Sequence, residues 1–334
     1  MIELRTPNNG ACVILQTPFQ KDFLQNGRKY LTGELDLQCF RDQALVDTSR
    51  PCKVVFQWNA KDGLGSTLEI SKNEDFSDIF MSVKATNRFE AYNFEVGATY
   101  FWRVTNPREQ SEVWSFRTED VAPRFVYVDG TTNVRDIGGY VNDEGLRVKQ
   151  GLVYRGAELD MHVVVSDEGK KTLGKTLGVK SDIDLRGEAA GFADTSPIGE
   201  NVNYLFVPLA AYEDYIKEPN FEAVKKIFTF LADENNYPVY FHCWGGADRT
   251  GCIAFTLEAI LGLSEEILMK NFELTCLSRF GNIKNRDEED FANMVKTLLI
   301  YGENWNERMT KFLNLCGVSC ENIEKIRKIM LVKP

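Results

Sequence analysis

Between residues 1 and 120, short runs alternate apolar and polar side chains at a period of two. The clearest are Cys-Lys-Val-Val-Phe-Gln-Trp over 52–58, Ser-Thr-Leu-Glu-Ile-Ser over 66–71 and Ala-Thr-Tyr-Phe-Trp-Arg-Val over 98–104. A period of two sends successive residues to opposite faces of an extended strand. Turn-forming clusters at 59–63, 71–75 and 105–107 separate the runs. Short strands at this spacing predict an all-β sandwich, with Trp58 and Trp102 in its core. Asp-Val-Ala-Pro over 120–123 reads as a linker, because Pro123 biases Ala122 toward an extended backbone. The pattern predicts two domains, 1–121 and 122–334.

Beyond the linker the period changes. Strands are predicted near 125–128, 146–154, 179–185, 204–208 and 238–242. Helices are predicted near 166–178, 221–234, 250–262, 264–274, 287–300, 303–315 and 320–331. Over 221–234, Phe221, Val224, Ile227, Phe228 and Leu231 recur at the 3–4 spacing of one buried face. Strands alternating with helices predict an α/β domain, a mixed sheet flanked by helices.

One connection in this domain carries chemistry. His-Cys-Trp-Gly-Gly-Ala-Asp-Arg-Thr-Gly over 242–251 joins a predicted buried strand to a predicted buried helix. Strand, glycine turn and helix N-terminus together form an anion site, with backbone N–H groups pointing inward and the helix dipole adding positive potential. Trp244, Gly245, Gly246, Ala247, Asp248 and Arg249 are the candidate phosphate-binding residues. Arg249 offers a planar fork that matches two phosphoryl oxygens. The same positive potential favours the thiolate of Cys243, which is the nucleophilic form of a cysteine. The Thr250 hydroxyl is placed to donate to that sulfur. Gly245 and Gly246 let the chain curl around the anion.

At these residues the chain resembles the Cys-dependent protein tyrosine phosphatases, and more narrowly their bacterial branch with the loop His-Cys-x-x-Gly-x-Asp-Arg-Thr-Gly. Asn-Val-Arg-Asp-Ile-Gly-Gly over 133–139, Gly-Leu-Val-Tyr-Arg over 151–155 and Ile-Asp-Leu-Arg over 183–186, with Glu188 just after, fit the same branch. The resemblance covers about residues 124–334. It implies metal-independent hydrolysis of a phosphomonoester through a phosphocysteine, with no cofactor. The implied substrate is a phosphorylated protein or small phosphomonoester, tyrosine phosphate first, with dual specificity open. The implied general acid lies on a loop about 30 residues before the nucleophile. That points to Asp214, with Glu213 beside it; Asp248 is the alternative, as acid or as a brace for the loop. Arg135, Asp136, Asp184 and Arg186 are implied to support the loop. His242 is expected to bond the loop backbone, and His162 to lie on the surface.

Two other readings stay open. One is a phosphoinositide or inositol phosphate phosphatase, weakened because Ala247 stands where relatives often carry Lys. The other is a phosphopeptide-binding pseudophosphatase. A rhodanese-like sulfurtransferase fits the loop spacing less well. Thr-Tyr-Phe-Trp-Arg-Val over 99–104 and Trp-Ser-Phe-Arg-Thr over 114–118 resemble the last strands of fibronectin type III-like domains, which share the immunoglobulin-like architecture. That implies a binding or spacer module that docks a protein partner.

Composition narrows the partners. A net charge of −10 argues against nucleic acid and anionic membranes as main partners, so a phosphate site is a local positive pocket. No apolar run approaches the roughly 20 residues of a membrane span. Eight cysteines without paired Cys-x2-Cys clusters, and only two histidines, argue against a zinc site. Free thiols suit a reducing cytoplasmic location, which is expected here. No basic start followed by an apolar core marks a signal peptide; a trimmed secreted chain would look the same.

Overall fold

The computed structural model describes residues 2–36, 47–60, 65–187, 195–279 and 284–333. Cys39, Glu188 and residues 61–63 of one expected turn lie outside them. The chain divides into two compact units. One comprises residues 1–17 and 51–125, the other 18–50 and 126–334. This differs from the single boundary expected at 121/122. The link itself belongs to the first unit, because the Gln16 carboxamide donates to the carbonyls of Val121 and Pro123, both at 3.1 Å.

In the first unit, Glu3–Thr6, Val54–Asn59 and Arg88–Ala91 form an antiparallel three-stranded sheet. A second sheet runs in the order Ala11–Val13, Trp114–Thr118, Thr99–Thr105, Ser66–Ser71, Ile79–Ala85. Their inward residues form one apolar cluster that includes Phe56, Leu68, Ile70, Tyr100, Val104 and Phe116. Trp58 and Trp102 are fully buried in it, as the period-two pattern predicted. Phe56 packs edge-on against Trp102 at 5.2 Å between ring centroids.

The second unit is built on a five-stranded sheet ordered Asn203–Phe206, Ser181–Asp184, Val239–His242, Val153–Gly156, Arg135–Asp136. The first four strands are parallel and the last is antiparallel. Alternate residues of the central strand face opposite sides: Val239 and Phe241 join one core, Tyr240 the other. Both faces are therefore covered, which is why this central strand, Val-Tyr-Phe-His, reads as a near-continuous apolar run. The helix Phe221–Leu231 buries Val224, Ile227, Phe228 and Leu231, the predicted face. Each such side chain contributes about 2 kcal/mol by leaving water. The helix Asp248–Ile260 is buried from Thr250 to its end, so it shows no amphipathic stripe.

Two expectations change. No strand spans 125–128; these residues make at most a bridge. The all-β reading of 1–120 overlooked the helix Pro18–Leu31, which belongs to the second unit. Its signal was present, in Pro18 at the first helical position and Phe23 and Gly27 four residues apart on a buried face. Among the described residues, no helix is long and apolar enough to cross a membrane.

Candidate active site

The strand Val239–His242 ends at a loop that turns directly into the helix Asp248–Ile260. Cys243 lies at the base of this loop and is 1% exposed. The loop is held from outside by its carbonyls. The Asn133 carboxamide donates to the carbonyls of Gly245 and Gly246 at 2.9 and 3.1 Å. Arg155 Nη2 donates to the same Gly246 carbonyl at 2.8 Å, and the Glu158 N–H donates to the Trp244 carbonyl at 2.9 Å. Peptide groups whose carbonyls turn outward turn their N–H groups inward, toward the mouth of the helix. Gly246 has φ +66°, and a Cβ there would collide with the Gly156 carbonyl. This glycine is required for both reasons.

Behind the loop sits a buried polar network. Arg135 donates to the Asn133 side-chain oxygen and to the Asn271 carbonyl, the latter at 3.1 Å. Asp136 accepts the N–H groups of Gly138 and Gly151 at 2.8 and 2.7 Å, closing the turn that carries Arg135. Burial, then the nearby Arg155, pushes Arg135 down to about 9, which leaves it protonated at neutral pH. Burial likewise pushes Arg155 down, against the attraction of Glu258. Burial raises Glu258 to about 7, opposed by Arg155 and by the 2.9 Å hydrogen bond from Asn271. Two cations and one carboxyl therefore lie under the loop, a positive floor inside a negative protein.

On the other side, His242 faces the Cys243 carbonyl through Nδ1 at 3.1 Å, the backbone role expected of it. Its Nε2 lies 3.3 Å from Asp182, close enough for charge attraction although not aligned as a hydrogen bond. Burial pushes the imidazole down, but Asp182 and Asp184 override this and raise it to about 9. Asp184 and Arg186 form the expected buried pair, with Nη2 to Oδ2 at 2.7 Å. Arg186 also reaches Asp160 at 2.6 Å and Glu158 at 3.1 Å. Glu158 in turn accepts from the His162 backbone at 2.6 Å and meets its Nδ1 at 2.9 Å. The half-exposed His162 ring packs on Trp244 at 4.5 Å. The surface histidine of the sequence reading thus stands beside the loop.

Arg249 is part-buried, with Nη1 3.4 Å from the Leu185 carbonyl. Ala247 is buried. The Thr250 hydroxyl is fully buried and finds no hydrogen-bond partner among the described residues, Cys243 included, so the expected bond to that sulfur is not formed in this structure. Asp248, in the first helical turn, accepts from the Tyr212 hydroxyl and from Lys284 Nζ, the latter at 2.6 Å. Burial pushes Lys284 down, but Asp248 overrides it and raises it. Asp214 takes a different place: its side chain is 68% exposed and pairs with Lys217 at 2.7 Å. Glu213 accepts from Asn293 at 2.7 Å.

Asn133, Arg155, Asp182, Glu258 and Lys284 were not among the sequence candidates. Glu258 had left a signal, a charge inside an apolar helix. Lys284 left none, because its link to Asp248 spans distant parts of the chain. Among the described residues, no cluster of His, Cys, Asp and Glu could hold a metal ion.

Residues 126–332 match the tyrosine phosphatase family. A provisionally named tyrosine-protein phosphatase from Cupriavidus necator is 24% identical over 168 residues, 43% of this chain and 60% of its own length. A tyrosine-protein phosphatase from Nostoc commune is 29% identical over 136 residues, 34% of this chain and 45% of its own. The chain thus spans less than two thirds of either curated relative. Among solved structures, the core catalytic domain of the PP-IP phosphatase SIW14 from S. cerevisiae, in complex with citrate, matches at 17% identity. It covers 53% of this chain and 93% of that one, with a TM-score of 0.33, too low to tie fold or substrate to this chain.

Proposed function

The chain belongs to the tyrosine phosphatase family, and from that premise we propose that it hydrolyses phosphomonoesters through a phosphocysteine at Cys243. The Cys243 thiolate attacks phosphorus, and the bond from phosphorus to the ester oxygen breaks. Arg249 and the inward N–H groups of the loop hold the three equatorial oxygens as charge moves through them. The leaving oxygen takes a proton from Asp248. Water then attacks the phosphocysteine, releasing inorganic phosphate and the thiolate, with the buried Thr250 hydroxyl, unpartnered among the described residues, turning to donate to the departing sulfur. Arg135, Asp136, Asp184, Arg186 and His242 hold this machinery from behind.

The observation that carries this reading is the loop itself: three carbonyls drawn outward by Asn133, Arg155 and Glu158 around a buried thiol at a helix N-terminus. Asp248 is favoured over Asp214 as acid because it lies inside the loop with its direction fixed, whereas Asp214 faces solvent. Phosphotyrosine in a protein is the proposed substrate, in line with the names of both curated relatives. The phosphoinositide alternative lacks a loop cation at Ala247, although Lys284 stands beside Asp248.

The first unit is proposed as a fibronectin type III-like sandwich that docks a protein partner. Its antiparallel three-stranded sheet and its five-stranded sheet, antiparallel except for the parallel edge strand Ala11–Val13, around one aromatic core support that architecture. The deciding experiment is phosphate release from phosphotyrosine peptide, phosphoserine peptide and phosphoinositides with EDTA present. Wild type should turn over the first fastest, and Cys243→Ser none. Turnover that EDTA abolishes or that Cys243→Ser retains would reject the thiolate mechanism. A wild type that binds phosphate but releases none would favour the pseudophosphatase.

A further inference from the structure

One segment outside the family match reaches the phosphate loop. Residues 47–50 belong to the second unit, although residues of the first unit follow them in the chain. Ser49 is 2% exposed. Its Oγ accepts the backbone N–H of Asn133 at 3.0 Å and donates to Asp47 Oδ1 at 2.6 Å. Asn133 is the residue whose carboxamide grips the Gly245 and Gly246 carbonyls. It is buried and has φ +62°, in the left-handed region that Asn tolerates better than most L residues.

The direction of these bonds matters. An oxygen that accepts from an amide must send its own proton elsewhere, and Asp47 receives it. Asp47 is itself fixed, since Oδ1 also accepts the Ser49 N–H at 3.1 Å and Oδ2 meets Arg50 Nε at 3.3 Å. The turn is tied down at both ends. Thr48 donates to the Leu277 carbonyl at 2.5 Å, and the Gln20 carboxamide donates to the carbonyls of Thr48 and Arg50 at 2.9 and 2.8 Å. Arg135 holds the Asn133 side-chain oxygen but does nothing for its backbone.

We propose that Ser49 is a positioning residue for the phosphate loop, acting through Asn133, with Asp47 setting the direction of its hydroxyl. This rests on the phosphatase reading above. Removal of the Ser49 oxygen leaves a buried N–H unpaired, so Asn133 rotates to relieve it. Because Asn133 grips two successive carbonyls, its rotation tilts both peptide groups and the N–H groups that face the anion. The consequence is weaker binding of any tetrahedral or trigonal-bipyramidal oxyanion, not only of one substrate.

The test uses the full chain as wild type, Ser49→Ala and Asp47→Asn. Orthovanadate affinity, kcat and KM on phosphotyrosine peptide, and thermal melting are measured for each. Ser49→Ala should melt cooperatively yet lose about tenfold to a hundredfold in kcat/KM, with vanadate binding weakened in step. Asp47→Asn should lose less, in the same direction. A folded Ser49→Ala with kcat, KM and vanadate affinity all unchanged overturns the proposal. Should Ser49→Ala not fold, Asp47→Asn decides: weaker vanadate binding sustains the proposal and unchanged binding ends it. A wild type that binds vanadate but hydrolyses nothing rejects the phosphatase reading alone, and vanadate affinity still tests Ser49.

Discussion

Asp248 stands between two donors, the Tyr212 hydroxyl and Lys284 Nζ, while Asp214 stands in solvent beside Lys217. A general acid must be protonated to act, so its loss removes the limb on which rate falls as pH rises. Asp248→Asn should flatten that limb and lower kcat on phosphotyrosine peptide by about 10²–10⁴-fold, the usual range for general acid catalysis. Asp214→Asn should leave the profile unchanged, because an exposed i,i+3 pair with Lys217 contributes little. A flattened limb in Asp214→Asn with an intact one in Asp248→Asn would reverse the assignment. At this scale the sequence was informative only where chemistry is local. Cys243, Arg249 and Thr250 lie within one short segment, so they could be proposed together from the spacing, the two glycines and the flanking strand and helix. Asn133 acts on Gly245, and Ser49 on Asn133, across gaps that spacing cannot report.

The loop works as an element because one glycine lets it lie against the end of the neighbouring strand. Gly246 takes φ +66° where the neighbouring strand Val153–Gly156 ends, and a Cβ there would meet the Gly156 carbonyl. Gly178 offers a control in the same unit: its φ is +65°, but a Cβ there would meet nothing within 4 Å. Gly178→Ala should therefore cost only the left-handed strain, about 1–2 kcal/mol, and leave kcat/KM alone. Gly246→Ala should cost more in denaturant unfolding and also weaken orthovanadate binding. Equal unfolding costs, with phosphate-site affinity intact in both, would show that the close approach does not shape the loop. In each unit, elements with one partly exposed face were legible from period. The helix Phe221–Leu231 in the second unit and the strand Ser66–Ser71 in the first follow their predicted patterns because one face of the helix is exposed and alternate residues of the strand are only half-buried. The helix Pro18–Leu31 escaped because strand-like neighbours set the expectation for the whole stretch around it.

The two units interleave along the chain, which passes from one to the other after Thr17, Arg50 and Phe125. The family match begins at 126, yet the second unit buries Gln20, Phe23, Asp47 and Ser49 from the earlier segment. Phe23 is 4% exposed on the helix Pro18–Leu31, whose Arg28 meets Glu273 at 3.3 Å and Asp287 at 2.8 Å. Loss of one buried Phe side chain costs about 3–5 kcal/mol. In a unit of this size each kcal/mol lowers the melting temperature by about 2–4 °C. A fragment of residues 126–334 should accordingly melt roughly 6–20 °C below the corresponding transition of the full chain in calorimetry. Its kcat/KM should also fall, because Asn133 loses Ser49. Matching melting temperatures and matching kcat/KM would mean that residues 18–50 rest on the second unit without supporting it. A sequence boundary at 121/122 could not have anticipated this dependence, because a linear cut assumes that each domain is one continuous stretch. Here the segment that braces the phosphate loop falls, in chain order, between stretches of the other unit, and only the folded chain brings Ser49 to Asn133.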